Sequence, residues 1–271
     1  MTKTKRHFII PDTQVRAGEP QDHWAWIEEA VVEYQPDTLW HLGDHFDMPS
    51  LSRYDAPGSK KMANASYQSD IDSGNEVITR FSSNLKKRKV TAKKKYLLGN
   101  HDERVAREVN ANPKFEGKIG YQDFALVEND WQVYDYHEVA WEDGIAFSHY
   151  FYYPKTGKPI GGSIDNRLNR IGCSFVQGHE QGFLYGNRDY PTGRTYHGLV
   201  AGSAYLHYED YKGHQGNSHF RGVVILNGVR DGSYCIMPLD FNYLCEKYEG
   251  VPLHTYLKKK YKNPSKFRGI V

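Results

Sequence analysis

The sequence predicts an α/β protein, and three features of the 271-residue chain indicate this fold class. In the first half, short apolar runs typical of buried strands alternate with longer segments whose apolar residues recur at helical spacing. In the second half, short strand-like runs follow one another between turns, and only 163–171 has a helical pattern. No linker or repeat separates the halves, so we expect one domain over 1–250, followed by a basic tail over 251–271.

Each element of the first half is bounded by residues that end regular structure. The first strand stops at Asp12, and the next two stop at the pairs Gly43-Asp44 and Gly99-Asn100. We therefore expect strands at 7–11, 38–42 and 96–98, and helices at 22–34, at 67–88 and from about 102. In the second half we expect strands at 131–136, 144–148, 174–177, 195–200, 222–226 and 233–237.

Composition excludes several classes of protein. The mean hydropathy is −0.73 and no apolar run reaches the length of a membrane span. The apolar run at 8–10 is too short for the core of a signal peptide. Three cysteines without a CxxC motif indicate neither a disulfide scaffold nor a cysteine-rich zinc site, so we expect a cytoplasmic protein. A net charge of +2 identifies no partner.

Polar side chains follow five of the predicted strands, at the point where each strand ends. Because ligand sites in α/β sheets form where the carboxyl ends of strands converge, we expect these side chains to share one cleft. Carboxylates, an asparagine and histidines together suit divalent metal ions. Each cluster alone would be typical of an ordinary turn or helix cap, but five in order indicate a site. The clusters are Asp12–Gln14, Gly43–Asp47, Gly99–Glu103, His149 and Gly178–Gln181.

This pattern resembles the calcineurin-like metallophosphoesterases, whose motifs are Asp-x-His, Gly-Asp-x-x-Asp, Gly-Asn-His-Asp/Glu, a later His, and Gly-His-x-His. The resemblance runs from about residue 7 to 240 and is most specific in the second and third motifs. It implies two stacked mixed β-sheets flanked by helices, an αββα sandwich, and metal-dependent hydrolysis of phosphate esters. The matching positions are Asp12-x-Gln14, Gly43-Asp44-x-x-Asp47, Gly99-Asn100-His101-Asp102, His149 and Gly178-His179-x-Gln181.

The resemblance also implies a cofactor of two divalent metal ions, with Mn²⁺ or Mg²⁺ expected. Asp44 would bridge the two ions, which would activate water and bind the oxygens at phosphorus. The remaining ligands of the first ion would be Asn100, His149 and His179. Those of the second would be Asp12, Gln14 and Gln181.

Three further residues have implied roles in catalysis or substrate binding. His101 would protonate the leaving oxygen, and Asp47 would orient its imidazole. Arg104 would hold a phosphate oxygen, although a solvated helix residue is the alternative reading of the same position.

Two departures from the family pattern fall in one predicted metal site. Gln14 and Gln181 both stand where the family has histidine, so the second ion would be a hard ion held by amide oxygen, or would bind weakly. His45, His197 and His219 lie in segments that would allow them to serve as alternative ligands.

The function predicted from these motifs is phosphodiester hydrolysis by a nuclease or nucleotide phosphodiesterase, with DNA or RNA among the candidate substrates. Lys86–Lys89, Lys93–Lys95 and the basic tail would bind a polyanion, although such runs are also typical of solvated faces. A phosphomonoesterase or protein phosphatase is the alternative within the enzymes. A non-catalytic binding scaffold is the alternative from another class, and its support is the pair Gln14 and Gln181. Substrate and oligomeric state stay open.

Overall fold

A computed structural model describes residues 4–53, 66–209, 212–262 and 267 of the chain. Within these ranges two mixed β-sheets stack and are flanked by helices, which confirms the predicted fold class. The strands are β1 (Lys5–Ile10), β2 (Thr38–His41), β3 (Lys93–Leu97), β4 (Trp131–Tyr134), β5 (Ala140–Glu142), β6 (Ile145–Ser148), β7 (Ser174–Gln177), β8 (Phe183–Asp189), β9 (Thr195–Ala201), β10 (Gly222–Arg230) and β11 (Ser233–Asp240). The helices are α1 (His23–Tyr34), α2 (Tyr67–Lys87), α3 (Arg104–Ala111), α4 (Ile164–Ile171), α5 (Gly213–Asn217), α6 (Phe241–Glu249) and α7 (Leu253–Lys260).

Each of the two sheets has parallel strands at its centre. The first has the order β11-β10-β1-β2-β3-β4, in which β1 to β4 are parallel and β10 and β11 are antiparallel neighbours. The second has the order β5-β6-β7-β9-β8, in which β6, β7 and β9 are parallel. The loops that follow these parallel strands carry the predicted site residues.

The sheets pack through an apolar core, and this core explains why strands at the centre are buried on both faces. Trp40 of β2 stacks on Phe147 of β6 with ring centroids 3.9 Å apart. Ile9 and Val176 are fully buried in the same layer. Helices α1 and α2 cover the outer face of the first sheet, and α4 covers the second sheet through Leu168. Both faces of each sheet are therefore shielded from water.

The elements expected from the sequence are present with shifts of a few residues at their ends. Strands β5 and β8, and helices α5, α6 and α7, were not expected. Strand β8 lies at an edge of the second sheet and its residues are partly exposed, so it lacks the apolar run of a buried strand.

The start of the expected tail is folded. Helix α7 buries Leu253 and Leu257 against the core of the first sheet, and Phe267 is buried there as well. Apart from Phe267, the tail beyond 262 lies outside the described residues, and a domain boundary at residue 250 stays a prediction. No helix in the described ranges has the length and apolar character needed to cross a membrane.

Candidate metal and catalytic site

Loops from both sheets bring the predicted ligands of the first metal site together. The Nε2 atom of His149 lies 3.4 Å from Asp44 Oδ2 and 3.0 Å from Asn100 Oδ1. The Nδ1 atom of His179 lies 2.7 Å from the same Asn100 oxygen. Asp44, His149 and His179 each offer a ligand atom within 4.8 Å of the other two.

These spacings fit a divalent ion. Neighbouring ligands on an octahedron of radius near 2.1 Å are about 3 Å apart, close to the distances between the Asp44, Asn100, His149 and His179 donor atoms. The donor set combines carboxylate and amide oxygens, which suit Mg²⁺ and Mn²⁺, with imidazole nitrogens, which suit Zn²⁺ and iron, so it fits a divalent ion without identifying which one. His149 is held from its other side, since its Nδ1 lies 2.7 Å from the Leu42 carbonyl oxygen, which fixes the ring.

Two motif glycines provide space for the carboxylates. A Cβ atom on Gly99 would lie 2.1 Å from Asp44 Oδ1, and one on Gly178 would lie 2.5 Å from Asp12 Oδ1. Any other residue would displace the neighbouring carboxylate. These two glycines are therefore required by the close approach of the carboxylates.

Asp102 joins the loops after β2 and β3, a role that the sequence did not reveal. Its carboxylate accepts hydrogen bonds from the backbone amides of Asp44 (2.9 Å), Phe46 (3.1 Å) and Gly99 (2.8 Å), and from the Tyr96 hydroxyl (2.9 Å). The side chain is fully buried. The last residue of the Gly-Asn-His-Asp block thus fixes the loops that carry Asp44 and Asn100.

The site contains more buried negative charge than its own hydrogen bonds neutralise. Burial raises the pKa of Asp12 to about 7, and Asp12 Oδ2 has no hydrogen-bond partner. Burial opposes ionisation of Asp44 as well, but the charges of His149 and His101 lower its pKa well below the ordinary value. His149 is itself buried, yet Asp44 raises its pKa to about 9. A divalent ion bound here would neutralise the buried carboxylates of Asp12 and Asp44 without a proton being bound.

His101 and Asp47 form the predicted pair. The Nδ1 atom of His101 lies 2.7 Å from Asp47 Oδ1, and its side chain is 16% exposed beside Asp44 and Asn100. Burial disfavours the imidazolium, but Asp44 and Asp47 outweigh burial and raise the pKa of His101. Asp47 in turn forms an ion pair with Arg16. Asp47 thus orients the ring, and its Nε2 atom lies 3.9 Å from Asp44 Oδ2 at the pocket.

Arg104 contacts a loop in this structure. Its guanidinium donates to the backbone carbonyls of Asp47 (2.7 Å) and Met48 (3.3 Å), and it lies 3.5 Å from His101 Nε2. This contact supports the loop that positions Asp47. A contact between Arg104 and substrate stays a prediction.

The second predicted metal site is arranged differently from the first. Gln14 is buried and neither atom of its amide group has a hydrogen-bond partner. Gln181 Oε1 accepts hydrogen bonds from the Tyr205 hydroxyl (2.7 Å) and from the Lys212 ammonium. Burial lowers the pKa of Lys212 to about 8. No motif marks Tyr205 or Lys212 in the sequence, so these two residues were missed.

The three histidines that the sequence offered as alternative metal ligands contact other residues instead. His45 is in the core, hydrogen-bonded to Thr13 (2.9 Å) and to a carbonyl of α2 (3.0 Å). His197 lies 2.9 Å from the Tyr185 hydroxyl on β8. His219 contacts Ser203 at 3.0 Å, near the second site but outside the ligand cluster.

Comparison with known proteins finds similarity of fold but no detectable similarity of sequence. No protein-family model matches the chain, and no curated protein is detectably similar to it in sequence. Among solved structures, the fold is similar to that of Yfce, a phosphoesterase from E. coli, with 12% identity and a TM-score of 0.40. The likeness covers 88% of this chain and all of that one.

Proposed function

We propose that this chain is a metal-dependent phosphoester hydrolase that cleaves phosphodiester bonds, with His101 as its general acid. One observation carries the proposal: the metal-ligand cluster of Asp44, Asn100, His149 and His179 borders the same pocket as the oriented His101–Asp47 pair. The pocket has a volume of about 160 Å³, enough for a phosphoryl group and part of its substituents.

The residues of this pocket would divide the work of hydrolysis. A divalent ion held by Asp44, Asn100, His149 and His179 would act as a Lewis acid toward a phosphoryl oxygen and would acidify water. His101 would donate the Nε2 proton to the departing oxygen, which breaks away as an alcohol. Asp47 accepts a hydrogen bond from Nδ1, so it holds this edge of the ring and stabilises its charge.

The Lys93–Lys95 run does not support the choice of a nucleic acid substrate. It begins β3, whereas the pocket lies beyond the other end of that strand, which is about 13 Å from Lys93 at about 3.3 Å per residue. Lys95 is buried, paired with Glu142 at 3.1 Å and lying over the Trp40 ring. We therefore propose phosphodiesters in general as the substrate class. Nucleotides and nucleic acids are members of this class.

The test is hydrolysis of phosphodiesters with leaving groups of different basicity, in the presence of Mn²⁺. We expect His101→Ala to lower kcat by about 10²–10⁴ for an alkyl leaving group and by less for p-nitrophenolate, which needs little protonation. Mn²⁺ binding should be retained. His254→Ala, which removes an exposed imidazole on α7, is the matched control and should have no effect.

Three outcomes would contradict the proposal. No turnover with any divalent ion would favour a binding scaffold, and equal losses for all leaving groups would exclude an acid role for His101. Faster hydrolysis of p-nitrophenyl phosphate than of bis-p-nitrophenyl phosphate would replace the diesterase by a phosphomonoesterase.

A further inference from the structure

The amide oxygen of Gln181 is already used by two donors. An amide oxygen has two lone pairs, and here Tyr205 and Lys212 each donate to it. Tyr205 is fully buried and stacks on His207 with ring centroids 4.3 Å apart, so its hydroxyl is held in place. Gln181 therefore has no free lone pair for a metal ion in this arrangement.

Lys212 places a positive charge beside the second predicted metal position. It lines the same pocket as Asp44, His101 and His179, and its charge is attracted by that of Glu209 and, more weakly, by that of Asp12. Its ammonium also lies 3.4 Å from the Tyr205 hydroxyl. A second divalent ion next to this ammonium would meet strong repulsion, since charges in a partly buried site are screened much less than in water.

The net charge of the metal centre also argues against a second divalent ion. With one divalent ion and the Lys212 ammonium, the carboxylates of Asp12 and Asp44 leave a single net positive charge. A phosphodiester carries one negative charge and would neutralise it. A second divalent ion would leave the centre strongly positive before substrate binds.

From this geometry we propose that the Lys212 ammonium takes the place of a second metal ion, so that the centre binds one divalent ion per chain. Lys212 neutralises the carboxylate of Asp12 and presents the second positive charge to a phosphoryl oxygen of the substrate. The inference rests on the proposed function in one respect, namely that the first site binds a metal ion.

The number of bound ions tests the proposal without any measurement of activity. We expect isothermal titration of the metal-free full-length protein with Mn²⁺ to show one ion per chain. Its electron paramagnetic resonance spectrum should be that of an isolated Mn²⁺ ion even with metal in excess. Lys212→Met should bind a second ion, and the spectrum should then show two coupled Mn²⁺ ions.

Two further variants complete the experiment. Lys212→Gln keeps a polar side chain near Gln181 and Tyr205 and removes only the charge, so it should also admit a second ion if methionine disturbs folding. Lys258→Met removes an exposed lysine of α7 and should leave the count at one.

Each result has a separate meaning. Two ions in the unmodified protein would overturn the inference and leave the proposed function intact. One ion in both Lys212 variants would also overturn it, since the ammonium would not be what excludes the second ion. No bound ion in the unmodified protein would overturn the proposed function itself.

Discussion

Replacing His23 by phenylalanine should stabilise the protein, and more so in acid. His23 begins α1, is fully buried, and neither of its ring nitrogens has a hydrogen-bond partner. Its ring packs 5.1 Å from Phe241 and 6.1 Å from Trp24, measured between centroids. A phenyl ring would fill nearly the same space without burying unpaired polar atoms.

The pKa of His23 determines how much larger this stabilisation should be in acid. Burial lowers this pKa from 6.5 to about 3, and the nearby charge of Asp22 offsets only part of the effect. Between these values the unfolded chain binds a proton that the folded protein does not, so stability rises with pH and is lost below pH 6.5. Each pH unit below 6.5 lowers the free energy of unfolding by about 1.4 kcal/mol, so the loss near pH 5 is about 2 kcal/mol.

Urea denaturation near pH 7.5 and near pH 5 measures this difference. The gain in the free energy of unfolding from His23→Phe should be about 2 kcal/mol larger at the lower pH, because the other titrating groups are common to both proteins. His254→Phe, at an exposed position on α7, should show no such increase. Equal gains at both pH values would refute the assignment of a neutral, buried imidazole.

Two other perturbations test the framework of the site. Gly99→Ala should weaken Mn²⁺ binding by about 10–100-fold in titration calorimetry, because its Cβ would displace Asp44, whereas Gly182→Ala has open space at its Cβ and should not. Unchanged affinity in Gly99→Ala would show that Asp44 is not a required ligand. Arg16→Met removes the only guanidinium that the described contacts place against the buried carboxylates of Asp47 and Glu209, which keep their histidine partners, and it should lower the free energy of unfolding by about 3–5 kcal/mol, against no change for the exposed Arg230→Met. A loss below about 1 kcal/mol would mean that the carboxylates find other partners.

The part of the site that lies at strand ends could be predicted from sequence because its signals are local. Each motif, such as the one around Asn100, follows an apolar run directly, and parallel strands bring their ends together. Lys212 could not be predicted, since it reaches the pocket through the long connection between β9 and β10, whose path depends on the whole second sheet. The role of Asp102 was hidden for a similar reason: two of its partners, the amides of Asp44 and Phe46, come from a different loop.

Likewise, the sequence predicts those elements of the fold whose signals are local. Strands β2 and β7 are buried throughout and have apolar residues at their centres, whereas β8 is a partly exposed edge strand without that signal. The contribution of α7 to the core depends on two leucines inside a lysine-rich segment, and composition alone indicates solvent exposure there.

The hydrogen bonds of Asp102 bear on how the centre responds to its cofactor. Because one buried carboxylate links the backbones on both sides of the pocket, Asp44 and Asn100 cannot move independently of each other. Little conformational entropy is then lost when an ion arrives, and the ligands are preorganised. Selectivity among ions would accordingly come from the rigid size of the cavity, set by a residue that does not touch the metal.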